Sequence, residues 1–205
     1  RGATIWTVSG SARALLMAER TALNLVQRMS GIATTTREYM AALPSGSKTR
    51  LTDTRKTTPG LRVLERYAVR TGGAHNHRDH LGSGLMIKDN HIVAAGGIAE
   101  AIARARAHAP HTARIEVEVA NLAELEIALA HKADIIMLDN FSIADLRAGV
   151  ARASGHAILE ASGGITLETL AAVAATGVDC ISVGALTHSA KAADIALDLA
   201  LAKAP

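Results

Sequence analysis

The strongest constraint on the fold is a pattern that the chain repeats from residue 84 onward: a short apolar strand, a polar residue at its end, and then an alanine-rich helix. The apolar runs are GLMIKD, RIEVEV, DIIMLD, AILEAS and CISVG, and TRLTD precedes them at 49–53. Helices are predicted between and after these strands at 98–108, 122–131, 143–153, 167–176 and 190–203. Strands that alternate with helices of this length indicate βαβ units and a parallel sheet that is buried on both faces.

An open doubly wound sheet and a closed (β/α) barrel both fit this pattern. The open sheet normally carries a glycine-rich loop after its first strand, whereas here the glycines follow the last two strands, in SGGI and VGAL. Phosphate sites of (β/α) barrels lie at that position. The sequence therefore favours an α/β fold of the (β/α) barrel type, and because only six strands are evident from residue 49 onward, the barrel is expected to be open or to have fewer than eight regular strands.

The first third of the chain reads differently. Apolar residues spaced by three and four predict one long helix over 11–42. A second helix is predicted from residue 61, directly after Pro59-Gly60. ATIWTV at 3–8 has the composition of a strand, and because the chain starts with Arg1 we expect an N-terminal portion to precede it.

Composition limits the possible function classes. With 205 residues, 49% of them apolar, the chain can bury a large core as one domain or at most two. A net charge of +3 and 2% aromatic residues disfavour a nucleic-acid partner. The sequence has no apolar run long enough for a membrane span and no signal-peptide pattern, and its single cysteine, Cys180, cannot form an internal disulfide. We therefore expect a cytoplasmic protein without a membrane partner.

Functional residues are expected where the strands end, because the carboxyl ends of parallel strands meet at one face of a barrel. The strand ends carry cations, carboxylates and glycine-rich loops: Arg55 with Lys56, Lys88, Glu118, Asp139, Ser162-Gly163-Gly164 and Gly184-Ala185. The loop NHR adds His77 and Arg78. Each residue alone has an ordinary structural explanation as a solvated strand end or a turn, but six such strand ends in succession indicate a site.

The residue types indicate the chemistry of that site. Arginine forks and lysine point charges bind carboxylates and phosphates, so four cations predict a substrate with several negative charges. Glu118 and Asp139 end neighbouring strands and are suited to Mg²⁺ or to hydroxyl groups. Backbone N–H groups in the two glycine-rich loops can approach a phosphate closely. Glu116 shares a strand face with Glu118, and one of the two is expected to pair with a lysine.

Seven stretches, in order along nearly the whole chain, resemble the quinolinate phosphoribosyltransferase family. They are ERTALNLVQRMSGIATTT, DTRKTTPGLRVLERYAVRTGGAHNHR, LMIKDNH, IEVEV, MLDNF, EASGGI and SVGALTHS. The combination of DTRKTTPG with NHR and IKDNH at these spacings is far more specific than any one motif.

The resemblance implies transfer of 5-phosphoribosyl from phosphoribosyl pyrophosphate to quinolinate with decarboxylation, giving nicotinate mononucleotide, pyrophosphate and CO₂. By similarity, quinolinate would be bound by Arg55, His77, Arg78 and Lys88, the phosphoribosyl donor would face Lys56, and Thr54 would be a further substrate-binding residue. Glu118 and Asp139 would hold the ribose hydroxyls and Mg²⁺. The 5′-phosphate would lie against the two loops, that is against Ser162, Gly163, Gly164, Val183, Gly184 and Ala185. Lys56, Lys88, Glu118 and Asp139 are the predicted catalytic residues.

The resemblance also implies an N-terminal α/β sandwich domain, of which residues 1–20 would be the remnant or connection, followed by the barrel domain at 21–205. Arg20 would then reach the active site of a neighbouring subunit, so that a homo-oligomer, a dimer or a multiple of one, is expected.

Three alternatives remain open from the residues. A phosphoribosyltransferase that acts on nicotinate would need fewer cations, because its acceptor has a single carboxylate. A non-catalytic phosphate-binding barrel would be expected to have lost part of the strand-end set. Barrel isomerases and synthases share the glycine-rich loops but give no reason for DTRKT and NHR.

Overall fold

The computed structural model of the protein describes residues 2–200. Its six strands are β1 (Arg50–Thr52), β2 (Leu85–Ile87), β3 (Ile115–Val119), β4 (Ile135–Asp139), β5 (Ile158–Ser162) and β6 (Cys180–Ser182). Its helices are α1 (Ala12–Ala42), α2 (Arg62–Thr71), α3 (Asp89–Ala95), α4 (Ile98–His108), α5 (Leu122–Ala130), α6 (Ile143–Ala153), α7 (Leu167–Ala174) and the short α8 (Ala185–His188). A 3₁₀ turn, Leu81–Ser83, precedes β2.

All six strands are parallel and lie in one sheet in the order β1-β6-β5-β4-β3-β2. Beyond β1, the segment at His75 continues the sheet: the His75 N–H donates to Leu51 O at 2.9 Å, and the Asp53 N–H donates to His75 O at 3.2 Å. No strand pairing in residues 2–200 joins this edge to β2. The predicted open (β/α) barrel is therefore confirmed.

The core lies between the sheet and the surrounding helices. Alternate residues of β3, Ile115, Val117 and Val119, are buried in the apolar core, whereas the residues between them are glutamates. Leu125 of α5 and Leu170 of α7 are fully buried on the helix side. One sheet face is therefore apolar and covered by helices, and the other carries the polar residues that form the site.

Two predicted elements are wrong in the described residues. Residues 3–8 form no strand, and Ile5, Trp6 and Val8 are exposed. A strand requires a neighbouring strand to bond its backbone, and none lies beside this segment within residues 2–200. The predicted helix at 190–203 has no regular structure over 190–200, and 201–203 lie outside the described residues.

The segment after α8 bonds to α1 instead of forming its own helix. The Ala193 N–H donates to Gln27 O at 2.9 Å, and the Gln27 side-chain amide donates to Ile195 O at 2.7 Å. A Cβ at Gly31 would overlap the carbonyl of Lys191, so glycine at this position lets the segment lie against α1. Gly31 does not end or break α1, which continues through Arg20 and Gly31 to Ala42.

Among residues 2–200, no helix combines the length and the apolar character that a membrane crossing requires.

Candidate active site

A pocket of about 600 Å³ opens at the carboxyl ends of the strands. Eleven of the predicted site residues line it: Thr54, Arg55, Lys56, His77, Arg78, Lys88, Glu118, Asp139, Ser162, Gly163 and Gly164. Residues that were not predicted also line it: Met86, Met137, Asn140 and Ser182. The structure thus brings together cations, carboxylates and a glycine-rich loop that lie up to about a hundred residues apart in the chain.

Four predicted site residues do not line this pocket. Arg20 is exposed on α1. Val183 is buried, and its N–H donates to Thr52 O at 3.0 Å. Gly184 lies close to the pocket, because a Cβ there would come within 3.2 Å of Lys56 Cδ, and Ala185 begins α8 directly after it.

A larger cavity of about 930 Å³ lies at the opposite, amino ends of the strands. Two of its acidic residues bond to backbone N–H groups of strands: Asp134 accepts the Ile115 N–H and Asp179 accepts the Leu159 N–H, each at 2.8 Å. Active sites of (β/α) barrels lie at the carboxyl ends of the strands, so the smaller pocket is the candidate site.

Asp53, which follows β1, fixes the NHR loop against the sheet. Its carboxylate accepts the backbone N–H of His77 at 2.7 Å and the side-chain amide of Asn76 at 2.6 Å. Asp53 is fully buried, and burial raises the pKa of its carboxyl group although both hydrogen bonds act in the opposite direction. Asp53 was not among the residues predicted from the sequence. Its position between β1 and the cations Arg55 and Lys56 could have indicated a role at the site.

His77 projects onto two buried glutamates. Its Nε2 lies 3.2 Å from Glu160 and 3.5 Å from Glu116, while Nδ1 accepts the Arg78 N–H at 2.7 Å. Burial lowers the pKa of His77, but the hydrogen bonds and charges of both glutamates outweigh it and raise the pKa to about 10. Adding the second proton at Nδ1 requires the ring to give up its hydrogen bond with Arg78.

Arg78 spans the opening between the two edges of the sheet. Its guanidinium donates to Gly84 O at 3.0 Å and contacts Met86 Sδ at 3.4 Å, beside and within β2. Burial and the neighbouring charge of Arg55 lower the pKa of Arg78, and the charge of Glu116 opposes the shift. Arg55 Nε is buried without a hydrogen-bond partner among the described residues. Two adjacent guanidinium groups with unused donors are suited to an anion with more than one carboxylate.

The two predicted metal ligands each have one oxygen engaged. Lys88 Nζ contacts Glu118 Oε2, and the Asn140 side-chain amide donates to Asp139 Oδ2 at 2.8 Å. The other oxygen of each carboxylate has no hydrogen bond to a described residue, and hard oxygen donors beside a glycine-rich loop fit Mg²⁺. The expected pairing of one strand glutamate with a lysine is therefore confirmed, and the residue is Glu118.

The loop after β5 has the backbone of an anion-binding nest. Gly163 and Gly164 have φ angles of 90° and 58°, in the left-handed region. A Cβ at Gly163 would also overlap the side chain of Asn140, so the backbone conformation favours glycine and a larger residue would in addition require Asn140 to move. Asn140 follows β4, and its own N–H donates to Ser162 O at 2.9 Å. The loops after β4 and β5 therefore form one continuous wall.

An ion pair with a buried carboxylate supports the loop that carries Lys56. Arg28 of α1 donates to Glu65 of α2 at 3.0 Å, and Glu65 is fully buried. Glu65 in turn accepts the Thr58 N–H at 3.1 Å, and Arg28 also donates to Thr187 O. The Thr187 hydroxyl donates to Lys56 O at 2.8 Å, so the loops after β1 and β6 are bonded to each other.

A family model described as quinolinate phosphoribosyl transferase, C-terminal domain, matches residues 32–198. The chain belongs to the quinolinate phosphoribosyltransferase family. The match covers all six strands and every pocket-lining residue of the candidate site.

Two curated members of the family illustrate the similarity. A protein of Bacillus subtilis named probable nicotinate-nucleotide pyrophosphorylase [carboxylating] is 51% identical over 98% of this chain and 69% of its own length. The human nicotinate-nucleotide pyrophosphorylase [carboxylating] is 43% identical over 96% of this chain and 68% of its own length.

Solved structures of quinolinate phosphoribosyltransferase family members have the same fold. NadC from Streptococcus pyogenes is 48% identical, with a TM-score of 0.85 over 90% of this chain and 65% of that chain. The nicotinate-nucleotide pyrophosphorylase of Francisella tularensis is 50% identical, with a TM-score of 0.85 over 89% of this chain and 65% of that chain. This chain thus spans just under two thirds of the length of these solved relatives.

Proposed function

We propose that the protein transfers 5-phosphoribosyl from phosphoribosyl pyrophosphate to the ring nitrogen of quinolinate, with loss of pyrophosphate and CO₂, to form nicotinate mononucleotide. The observation that carries this proposal is one pocket that combines cations suited to a dicarboxylate with two carboxylates and a glycine-rich loop suited to a ribose phosphate. The names of relatives about 50% identical to the chain support it.

The two substrates would occupy different walls of the pocket. The quinolinate carboxylates would lie against Arg55, His77, Arg78 and Lys88, near the edge that Arg78 spans. The donor would lie against Thr54, Lys56, Glu118, Asp139 and the loop Ser162 to Gly164. Val183, Gly184 and Ala185, which do not line the pocket, would assist the 5′-phosphate through the backbone beside Lys56.

The proposed chemistry has two steps. The ring nitrogen bonds to the ribose carbon while the bond to pyrophosphate breaks, and the carboxylates of Glu118 and Asp139 stabilise the positive charge that develops on the ribose. The ribosylated ring is then cationic, so it accepts the electron pair of the C–CO₂ bond, and the ring carbon takes up a proton. The protein mainly positions the reactants and neutralises their charges.

We also propose Mg²⁺ as the cofactor. Glu118 and Asp139 would hold it through the oxygens that are not bonded to Lys88 and Asn140. When bound, Mg²⁺ would neutralise charge on the pyrophosphate group.

Two further expectations belong to the proposal. Arg20, exposed on α1, would enter the site of a second subunit in a homo-oligomer. The protein would act in the cytoplasm, in NAD biosynthesis, where a lone cysteine such as Cys180 stays reduced.

The deciding experiment measures CO₂ release from carboxyl-labelled quinolinate with phosphoribosyl pyrophosphate, with and without Mg²⁺, and nicotinate as the competing acceptor. We expect Mg²⁺-dependent CO₂ release in step with pyrophosphate formation. Ribosylation of nicotinate with no reaction of quinolinate would instead identify the protein as a phosphoribosyltransferase that acts on nicotinate. Binding of both substrates without any product would indicate a non-catalytic barrel.

A further inference from the structure

The most unusual feature outside the proposed substrate contacts is a buried cluster of three ionisable side chains inside the sheet. It consists of His77, Glu116 of β3 and Glu160 of β5, whose side chains are 12%, 7% and 5% exposed. Burying two carboxylates is costly unless each has a partner. The proposed chemistry gives neither glutamate a direct role, so their burial requires another explanation.

The cluster fixes the orientation of the His77 ring. Because Nδ1 accepts the Arg78 N–H, Nε2 is the nitrogen that carries the proton in the neutral ring, and it points at the two carboxylates. Asp53 holds the backbone N–H of the same residue. The ring is thus held at both nitrogens, by the Arg78 N–H at Nδ1 and by the charge contacts of 3.2 and 3.5 Å at Nε2, and its backbone is bonded at a third point.

Three other charged or titratable groups lie around the cluster: Arg78, Cys180 and Asp53. Arg78 lies close enough to Glu116 for their charges to influence each other. Cys180 of β6 pairs with Glu160 of β5 in the sheet. Burial and then the charge of Glu160 raise the pKa of its thiol to about 11, so the thiol adds no negative charge to the cluster near neutral pH. Asp53 carries a further acidic group near the ring, and its carboxylate accepts the backbone N–H of His77.

We propose that Glu116 and Glu160 are positioning residues that hold the His77 imidazole, with its Nε2–H directed toward them, at the base of the substrate pocket. The acceptor wall is thereby built before the acidic pyridine substrate binds. This role rests on the proposed function, since His77 lies on the wall assigned to quinolinate.

A metal site is the competing explanation, because the three ligand atoms lie within 4.8 Å of one another. The Arg78 N–H argues against it. A metal on Nε2 would require the proton to move to Nδ1, where it would face the Arg78 N–H donor at 2.7 Å.

Two paired variants test the role. Glu116→Gln with Glu160→Gln keeps oxygen acceptors for Nε2–H, whereas Glu116→Leu with Glu160→Leu removes them. We expect the Gln pair to keep the KM for quinolinate within about threefold and the Leu pair to raise it about tenfold or more, with the KM for phosphoribosyl pyrophosphate changed less than twofold in both. Equal losses in the two pairs, or an unchanged quinolinate KM in the Leu pair, would overturn the proposal.

A second readout does not depend on activity. In ¹⁵N NMR spectra of the substrate-free protein, Nε2 of His77 is expected to be protonated at pH 7 and to keep its proton when the ring becomes neutral above about pH 10, whereas the Leu pair is expected to lose this preference for Nε2. Glu65→Gln, which changes another fully buried carboxylate, serves as the matched control and should leave the His77 signals in place. An unprotonated Nε2, or Zn²⁺ uptake that the Gln pair abolishes, would contradict the proposal.

The two readouts separate the failure of each proposal. If quinolinate does not react but the His77 tautomer depends on Glu116 and Glu160, the proposed function fails and the positioning role stands. If quinolinate reacts normally and the tautomer is indifferent to both glutamates, the positioning role fails alone. Should the Leu pair not fold, Glu160→Leu alone provides the same comparison, because Glu160 makes the shorter contact with Nε2.

Discussion

The carboxylate of Asp53 accepts the backbone N–H of His77 at 2.7 Å across the gap between the end of β1 and the NHR loop. The same carboxylate accepts the Asn76 side chain, so one fully buried group receives two donors. The segment that Asp53 holds in this way carries both His77 and Arg78 to the pocket.

Asp53→Asn is therefore expected to damage stability and substrate binding together. One of its two acceptor oxygens becomes an amide donor that faces another donor, at a cost of about 1–3 kcal/mol in the free energy of unfolding. The KM for quinolinate should rise because the NHR loop shifts. Chemical denaturation and steady-state kinetics measure the two effects. Asp145→Asn, in the partly exposed first turn of α6, is the control and should change the free energy of unfolding by less than about 0.5 kcal/mol. Equal effects of the two variants would contradict the proposal that Asp53 anchors the NHR loop.

Much of this fold was predictable because each strand is a short apolar run between turns, and parallel strands bring their ends to one face. That rule alone placed Arg55, Lys88, Glu118 and Asp139 in one pocket. The same rule does not predict which of these side chains bond to each other. It predicted a lysine partner for one of two glutamates on β3, and only the structure shows that Lys88 contacts Glu118 while Glu116 faces His77.

The errors of sequence reasoning have a common physical origin. Residues 3–8 have strand-forming composition, but a strand exists only where a neighbouring backbone bonds to it. Residues 190–200 have alanine-rich, helix-forming composition, yet their backbone bonds to Gln27 of α1. In both segments the tertiary environment decides the local structure. Arg20 reaches no described site residue, so its assignment to a neighbouring subunit stays a prediction, as does the domain division at residue 20.

The Gly163 loop offers a test of the phosphate subsite. Gly163→Ala introduces a Cβ at φ 90° and into the side chain of Asn140, so we expect a loss of stability of more than about 1 kcal/mol and a raised KM for phosphoribosyl pyrophosphate. Gly155→Ala is a matched control, because Gly155 has φ 79° but an open space around its Cβ position. The difference between the two variants isolates the overlap from the backbone strain. If both variants lose the same stability and bind the donor alike, the close approach of Asn140 is unimportant.

The Arg28–Glu65 pair is expected to be one of the more costly ion pairs to break. Arg28→Ala leaves Glu65, which is fully buried, without its charge partner, and we expect a loss of about 3 kcal/mol in the free energy of unfolding. Arg104→Ala breaks the exposed pair with Glu100 on α4 and should cost at most about 1 kcal/mol. Urea denaturation of both variants gives the comparison. Because Arg28 also bonds to Thr187, the first variant should in addition weaken donor binding beside Lys56, and a loss as small as that of Arg104→Ala would refute this role.

The titration of His77 predicts how stability depends on pH. Its pKa is about 10 in the folded protein, against about 6.5 in an unfolded chain, so the folded state holds this proton more tightly. The stabilisation is complete below about pH 6.5 and is lost as the pH rises toward 10. We therefore expect the difference in free energy of unfolding between the wild type and His77→Gln to shrink steadily between pH 6.5 and 10, as denaturation at a series of pH values would record.

His111→Gln changes an exposed histidine and should leave the wild-type pH dependence intact. If stability depends on pH in the same way in the wild type and in His77→Gln, then Glu116 and Glu160 do not raise the pKa of His77. The hydrogen bond from the Arg78 N–H to Nδ1 would then keep the imidazole neutral.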